Sequence, residues 1–126
     1  MSQSVFVIMP ISGIGTASDK LRIVKEVAQE RDWYAHLPIY DPDAPVFNLK
    51  ETIREMRASN LVVADLTSER PSCYYELGLA EALYLPIFAI AEQHTEIHQT
   101  SIRGEVRSYE NLDGFTQLIK RALAAQ

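Results

Sequence analysis

Short apolar runs alternate with helical stripes from one end of the chain to the other. Val5-Phe6-Val7-Ile8 is continuously apolar, as a strand covered on both faces would be. Segment 9–18 holds Pro10, Gly13 and Gly15 and reads as a loop. Asp19 can cap a helix whose stripe is Leu21, Val24, Val27 and Ala28. A weaker strand is predicted over 35–40, ended by Asp41-Pro42-Asp43 and Pro45. Asn48, with Glu51 three residues on, has the form of a capping box ahead of Leu49, Ile53 and Met56. Leu61-Val62-Val63-Ala64-Asp65-Leu66 reads as the third strand, 73–84 as a nearly wholly apolar helix, and 86–91 as the fourth strand. Segment 92–104 is polar and patternless. A short fifth strand is predicted over 105–109, and Leu112, Phe115, Leu118, Ile119 and Leu123 mark one face of a last helix.

This alternation predicts one α/β domain over residues 1–126: a three-layer αβα sandwich on a five-stranded, mostly parallel sheet. The flavodoxin-like (Rossmann-like) order 2-1-3-4-5 is the expected arrangement. In that order the winding reverses between the first and third strands. The loops 9–18 and 65–72 then face each other across a crevice, where open α/β sheets bind ligands.

Composition narrows the partners. With 12 Lys and Arg against 17 Asp and Glu, the net charge of -5 offers no basic footprint for a nucleic-acid backbone. A phosphorylated small molecule stays open, because loop amides and helix N-termini bind anions without a cationic surface. The lone Cys73 gives no internal disulfide and suits a reducing cytoplasm. No apolar run approaches the roughly 18 residues of a membrane span, and no basic segment precedes the first apolar run, so no secretory signal is expected.

The chemistry concentrates around the third strand and the helix after it. Glu76 is a lone carboxylate in the first turns of an apolar helix, where desolvation raises its pKa and the helix dipole opposes the rise. Such a group can act as nucleophile or general base; complementing the dipole from solvent is the plainer alternative. Asp65 ends a strand where substrates approach, and it serves equally well as a loop-capping residue. Two carboxylates flanking a reactive carbon are what glycosidic cleavage uses. Ser12, Gly13 and Gly15 form neither a GxGxxG fingerprint nor a P-loop. Ser72 can cap the helix. Cys73 reads as a small apolar residue, Tyr74 and Tyr75 as packing or base-stacking aromatics. His94 and His98 alternate with Glu92 and Glu96 but sit in irregular polar sequence, which favours a solvated loop over a metal site.

Val5-Phe6-Val7-Ile8-Met9-Pro10, Ala64-Asp65-Leu66-Thr67, Tyr74-Tyr75-Glu76-Leu77-Gly78-Leu79-Ala80 and Leu85-Pro86-Ile87 together resemble the nucleoside 2-deoxyribosyltransferase-like superfamily, along nearly the whole chain. The resemblance implies cleavage or transfer at the N-glycosidic bond of a nucleoside or nucleoside 5′-monophosphate. Glu76 would be the nucleophile, and Asp65 would assist the base. Substrate contacts would come from Met9, Pro10, Ser12, Gly13, Gly15, Asp41, Ser72 and Tyr75. It also implies no metal or organic cofactor, and a homodimer or higher oligomer whose neighbouring subunit completes the pocket. The chain departs from the short bacterial members at 12–16 and at 92–104. Ser72-Cys73-Tyr74-Tyr75-Glu76-Leu77 also resembles the catalytic helix of TIR domains, which implies an NAD glycohydrolase in signalling or defence. A sensor module that binds a nucleotide without turnover is a third reading.

Overall fold

The computed structural model describes residues 3–11, 13–38, 48–98 and 100–125. Its strands are β1 (Gln3–Ile8), β2 (Trp33–His36), β3 (Leu61–Asp65), β4 (Ile87–Glu92) and β5 (Arg107–Tyr109). Its helices are α1 (Ala17–Glu30), α2 (Leu49–Ala58), α3 (Pro71–Ala82) and α4 (Leu112–Ala124). The sheet order is β2-β1-β3-β4-β5, and every pair is parallel, with Val5 beside Leu61 and Val63 beside Phe88. This is the expected doubly wound sandwich.

Strand alternation divides the core in two. Val5, Val7, Leu61, Val63, Phe88 and Ile90 face α1 and α4, where they meet Val24, Val27, Phe115 and Ile119. Phe6, Ile8, Val62 and Ala64 face the opposite way, against Met56 of α2 and Cys73, Leu77 and Ala80 of α3. A strand that buries both faces has no polar positions to spare, which is why these strands read as unbroken apolar runs.

Element ends differ from the sequence expectations for local reasons. The second strand begins at Trp33, two residues before 35, and the later part of 35–40 lies outside the described residues. Helix α1 starts after Thr16, so Asp19 sits in its first turn and caps nothing. Asn48 does cap α2, accepting from the Glu51 N–H at 3.0 Å, but the Glu51 carboxylate turns to Arg54 and completes no box. Helix α3 starts two residues earlier than 73, because Pro71 at its first position has a φ suited to a helix and no N–H to satisfy.

Candidate active site

Helix α3 presents Cys73, Leu77 and Ala80 to the sheet, and Glu76 projects from its flank. Glu76 lines two adjoining cavities. One, of about 470 Å³, lies over Pro71, Ser72 and Tyr75. The other, of about 410 Å³, runs between α2 and the ends of β1 and β2, past Phe6, His36 and Glu55. Among the described residues the Glu76 carboxylate has no hydrogen-bond or ion-pair partner, and burial pushes its pKa up to about 7.

The two crevice loops do meet. Gly13 has φ +71, and a side chain there would lie 2.8 Å from the Arg70 guanidinium, so the first loop is reached by the side chain of the residue that caps α3. Glycine takes that backbone without strain, and any side chain there would have to displace the Arg70 guanidinium. Gly15 is exposed and faces open space. Met9 and Pro10 are buried instead, Met9 in the core shared with α1 and α4, so neither offers a side chain to the cavities around Glu76. Ser12 and Asp41 lie outside the described residues. Ser72 and Tyr75 share the outer cavity with Glu76. Ser72 does not cap the helix; Arg70 holds that position, and its carbonyl accepts from the amides of Cys73 and Tyr74. The Cys73 thiol is pushed up to about 11 by burial and by the Glu76 and Asp65 carboxylates, so it stays protonated.

Asp65 lies elsewhere than its strand-end position suggests. It is 1% exposed. Its Oδ1 accepts from the Thr67 amide at 3.0 Å and the Thr67 hydroxyl at 2.6 Å, and its Oδ2 accepts from the Tyr109 hydroxyl at 2.6 Å. Lys20, equally buried, places Nζ 3.8 Å from Asp65 and 2.8 Å from Glu92, over the rings of Tyr109 and Phe115. The burial of Tyr109 and the adjacent Asp65 carboxylate raise its hydroxyl above the ordinary range, which keeps it a donor. Asp65 is thus the centre of a closed polar cluster, and the cavities around Glu76 do not reach it. Lys20 was legible in principle: it stands on the stripe Ala17, Lys20, Val24, Val27, where a charge needs a buried partner.

Two further arrangements escaped the sequence reading. His36, at the end of β2, lies in the inner cavity with Glu76, its Nδ1 3.8 Å from Glu55. Its signal is a polar residue at the end of a parallel strand. On the far side of α3, segments 93–98 and 100–106 are tied down. His98 Nδ1 is 2.8 Å from Glu69, which also accepts from the Tyr74 hydroxyl at 2.8 Å, and Glu81 accepts from Thr100 and Ser101. These bonds hold the Glu69 carboxyl below its usual range. A segment without hydrophobic periodicity is positioned here by side-chain hydrogen bonds, which pattern reading does not detect.

No protein-family model matches the sequence, and no curated protein does. Solved structures match in fold. A CMP N-glycosidase from Clostridium botulinum, BcmB, is 18% identical with a TM-score of 0.63, over 91% of this chain and 96% of that one. A conserved protein from Enterococcus faecalis V583 is 15% identical with a TM-score of 0.61, over 96% and 99%. The constitutive lysine decarboxylase of E. coli matches at a TM-score of 0.56 and 15% identity, over 97% of this chain but 17% of that one. The shared architecture therefore occurs in proteins of unlike chemistry, and function has to be argued from the site.

Proposed function

We propose that the protein cleaves or exchanges the N-glycosidic bond of a nucleoside or nucleoside 5′-monophosphate, with Glu76 as nucleophile. One observation carries this reading. At the switch point of the sheet, a half-buried carboxylate without a partner among the described residues opens onto two cavities of ligand size. A structural glutamate in so apolar a setting would be expected to have a partner. A pKa of about 7 leaves a sizeable fraction ionised at neutral pH and keeps the anion poorly solvated, hence reactive. The fold shared with a CMP N-glycosidase supports the same chemistry.

In this reading the Glu76 carboxylate attacks C1′ as the C1′–N bond breaks, giving a glycosyl ester. Water or a second base then attacks C1′ and frees Glu76. Ser72 and Tyr75, which line the cavity over Pro71, bind the rest of the substrate. The outer cavity has α3 as its wall, and Pro71, Tyr75, Gly78 and Ala82 form an exposed stripe along that helix. A second copy of the chain packed there closes the site. The withdrawal of Asp65 from the crevice is the observation that favours a non-catalytic sensor instead. Mass spectrometry of the intact protein and of its peptides, after a brief exposure to a 2′-deoxy-2′-fluoro-arabinonucleoside, decides between them. The enzyme gains the mass of one glycosyl group, on the peptide containing Glu76; a sensor gains none.

A further inference from the structure

A glycosidic bond to a base breaks readily only if the base leaves with a proton. Asp65 cannot deliver it: its side chain is closed in by Thr67, Tyr109 and Lys20. Among the described residues, the other ionisable side chains in the inner cavity with Glu76 are His36, Glu51 and Glu55. Glu51 is paired with Arg54 on its own helix. We propose that His36 is the proton donor to the departing base, with Glu55 as the residue that positions it; this role rests on the N-glycosidic reading of Glu76.

The surroundings of His36 fit the task. It ends β2, where it is paired in register with Phe6 of β1, so its backbone belongs to the rigid sheet. The Tyr34 ring meets it edge-on at 4.8 Å and the Phe6 ring stacks at 6.3 Å, which restricts the imidazole plane. Nδ1 lies 3.8 Å from Glu55, so the proton delivered to the base is assigned to Nε2. Glu76 and His36 come from α3 and β2 and line one cavity.

The steps balance. Glu76 forms its bond to C1′, the C1′–N electron pair passes to the base nitrogen, and the imidazolium proton goes to the base. Water then attacks C1′, the ester bond returns its electron pair to Glu76, and the water proton restores the imidazolium. The products are free base and free sugar.

The test compares leaving groups. Wild type, His36→Gln, Glu55→Gln and Glu76→Gln are assayed on cytidine, adenosine, their 2′-deoxy and 5′-phosphate forms, and on 4-nitrophenyl β-D-ribofuranoside and its 2-deoxy analogue. The 4-nitrophenolate departs without a proton. His36→Gln is expected to lower kcat for base release about 10²- to 10⁴-fold and for nitrophenolate release less than about tenfold. Glu55→Gln leaves the ring in place and gives the same split at smaller size, so it carries the test even where His36→Gln does not fold. Glu76→Gln abolishes both. Equal losses on both leaving groups in the His36 and Glu55 variants, or unchanged base release, overturn the role of His36 and leave Glu76 standing. A wild type inert on every substrate overturns both.

Discussion

Glu76 and Lys20 are both charged groups set among apolar side chains, and the fold treats them in opposite ways. Lys20 is matched by two carboxylates, so removing it strands Asp65 in the core. Lys20→Met is expected to lower stability by about 3–5 kcal/mol in urea unfolding. Lys20→Met combined with Asp65→Asn should lose less than the sum of the two single changes. Glu76 is left unmatched, and its pKa rises from 4.5 to about 7. The folded state therefore favours the neutral form. That stabilisation is complete below about pH 4.5 and is lost as pH rises through about 7. Gln is neutral throughout, so the melting temperature of Glu76→Gln should gain on wild type between about pH 5 and pH 8. A constant gap would mean Glu76 titrates as a solvated carboxylate. Activity has the opposite dependence: for nitrophenolate release, which needs no proton donor, kcat/KM should rise with pH through about 7 as the nucleophile ionises.

At the scale of elements, the strands were legible because a sheet buried on both faces writes its burial directly into the sequence, as in Val5-Phe6-Val7-Ile8. Asn48 was legible too, because a cap is a local interaction; Asn48→Ala should cost about 1 kcal/mol. What escaped notice was long-range and polar. Lys20 meets Glu92 across 72 positions and Glu69 meets His98 across 29, and neither spacing leaves a periodic trace. The candidate site divides in the same way. Glu76 stands out on its own helix, whereas the burial of Asp65 depends on Tyr109, 44 positions away. Between β3 and α3, Ser68 and Glu69 are non-glycine residues with φ of +66 and +46, held between the Asp65–Thr67 bonds and the Glu69–His98 pair. Glu69→Gln should loosen the outer clamp. Amide hydrogen exchange over 93–106 is expected to quicken while β3 stays protected; unchanged protection would mean the segment is held by its apolar contacts alone.

For the whole molecule, α3 is the element that most needs a partner. It is apolar on nearly every face, and Tyr75 on its outer side is 54% exposed beside the cavity. Light scattering should find wild type as a dimer or larger assembly and Tyr75→Glu as a smaller species with reduced activity; a monomeric wild type contradicts that arrangement. No helix among the described residues is long and apolar enough to cross a membrane. Chromatography of free bases tests whether Glu76 breaks an N-glycosidic bond. Wild type and Glu76→Gln are each incubated with a panel of nucleosides, nucleoside 5′-monophosphates and NAD. The expected result is base released from a nucleoside or its monophosphate by wild type and not by the variant. Release of nicotinamide from NAD alone would move the activity to the TIR-like reading. Base release retained by folded Glu76→Gln, or none from wild type on any substrate, would rule out Glu76 as the nucleophile of an N-glycosidic cleavage.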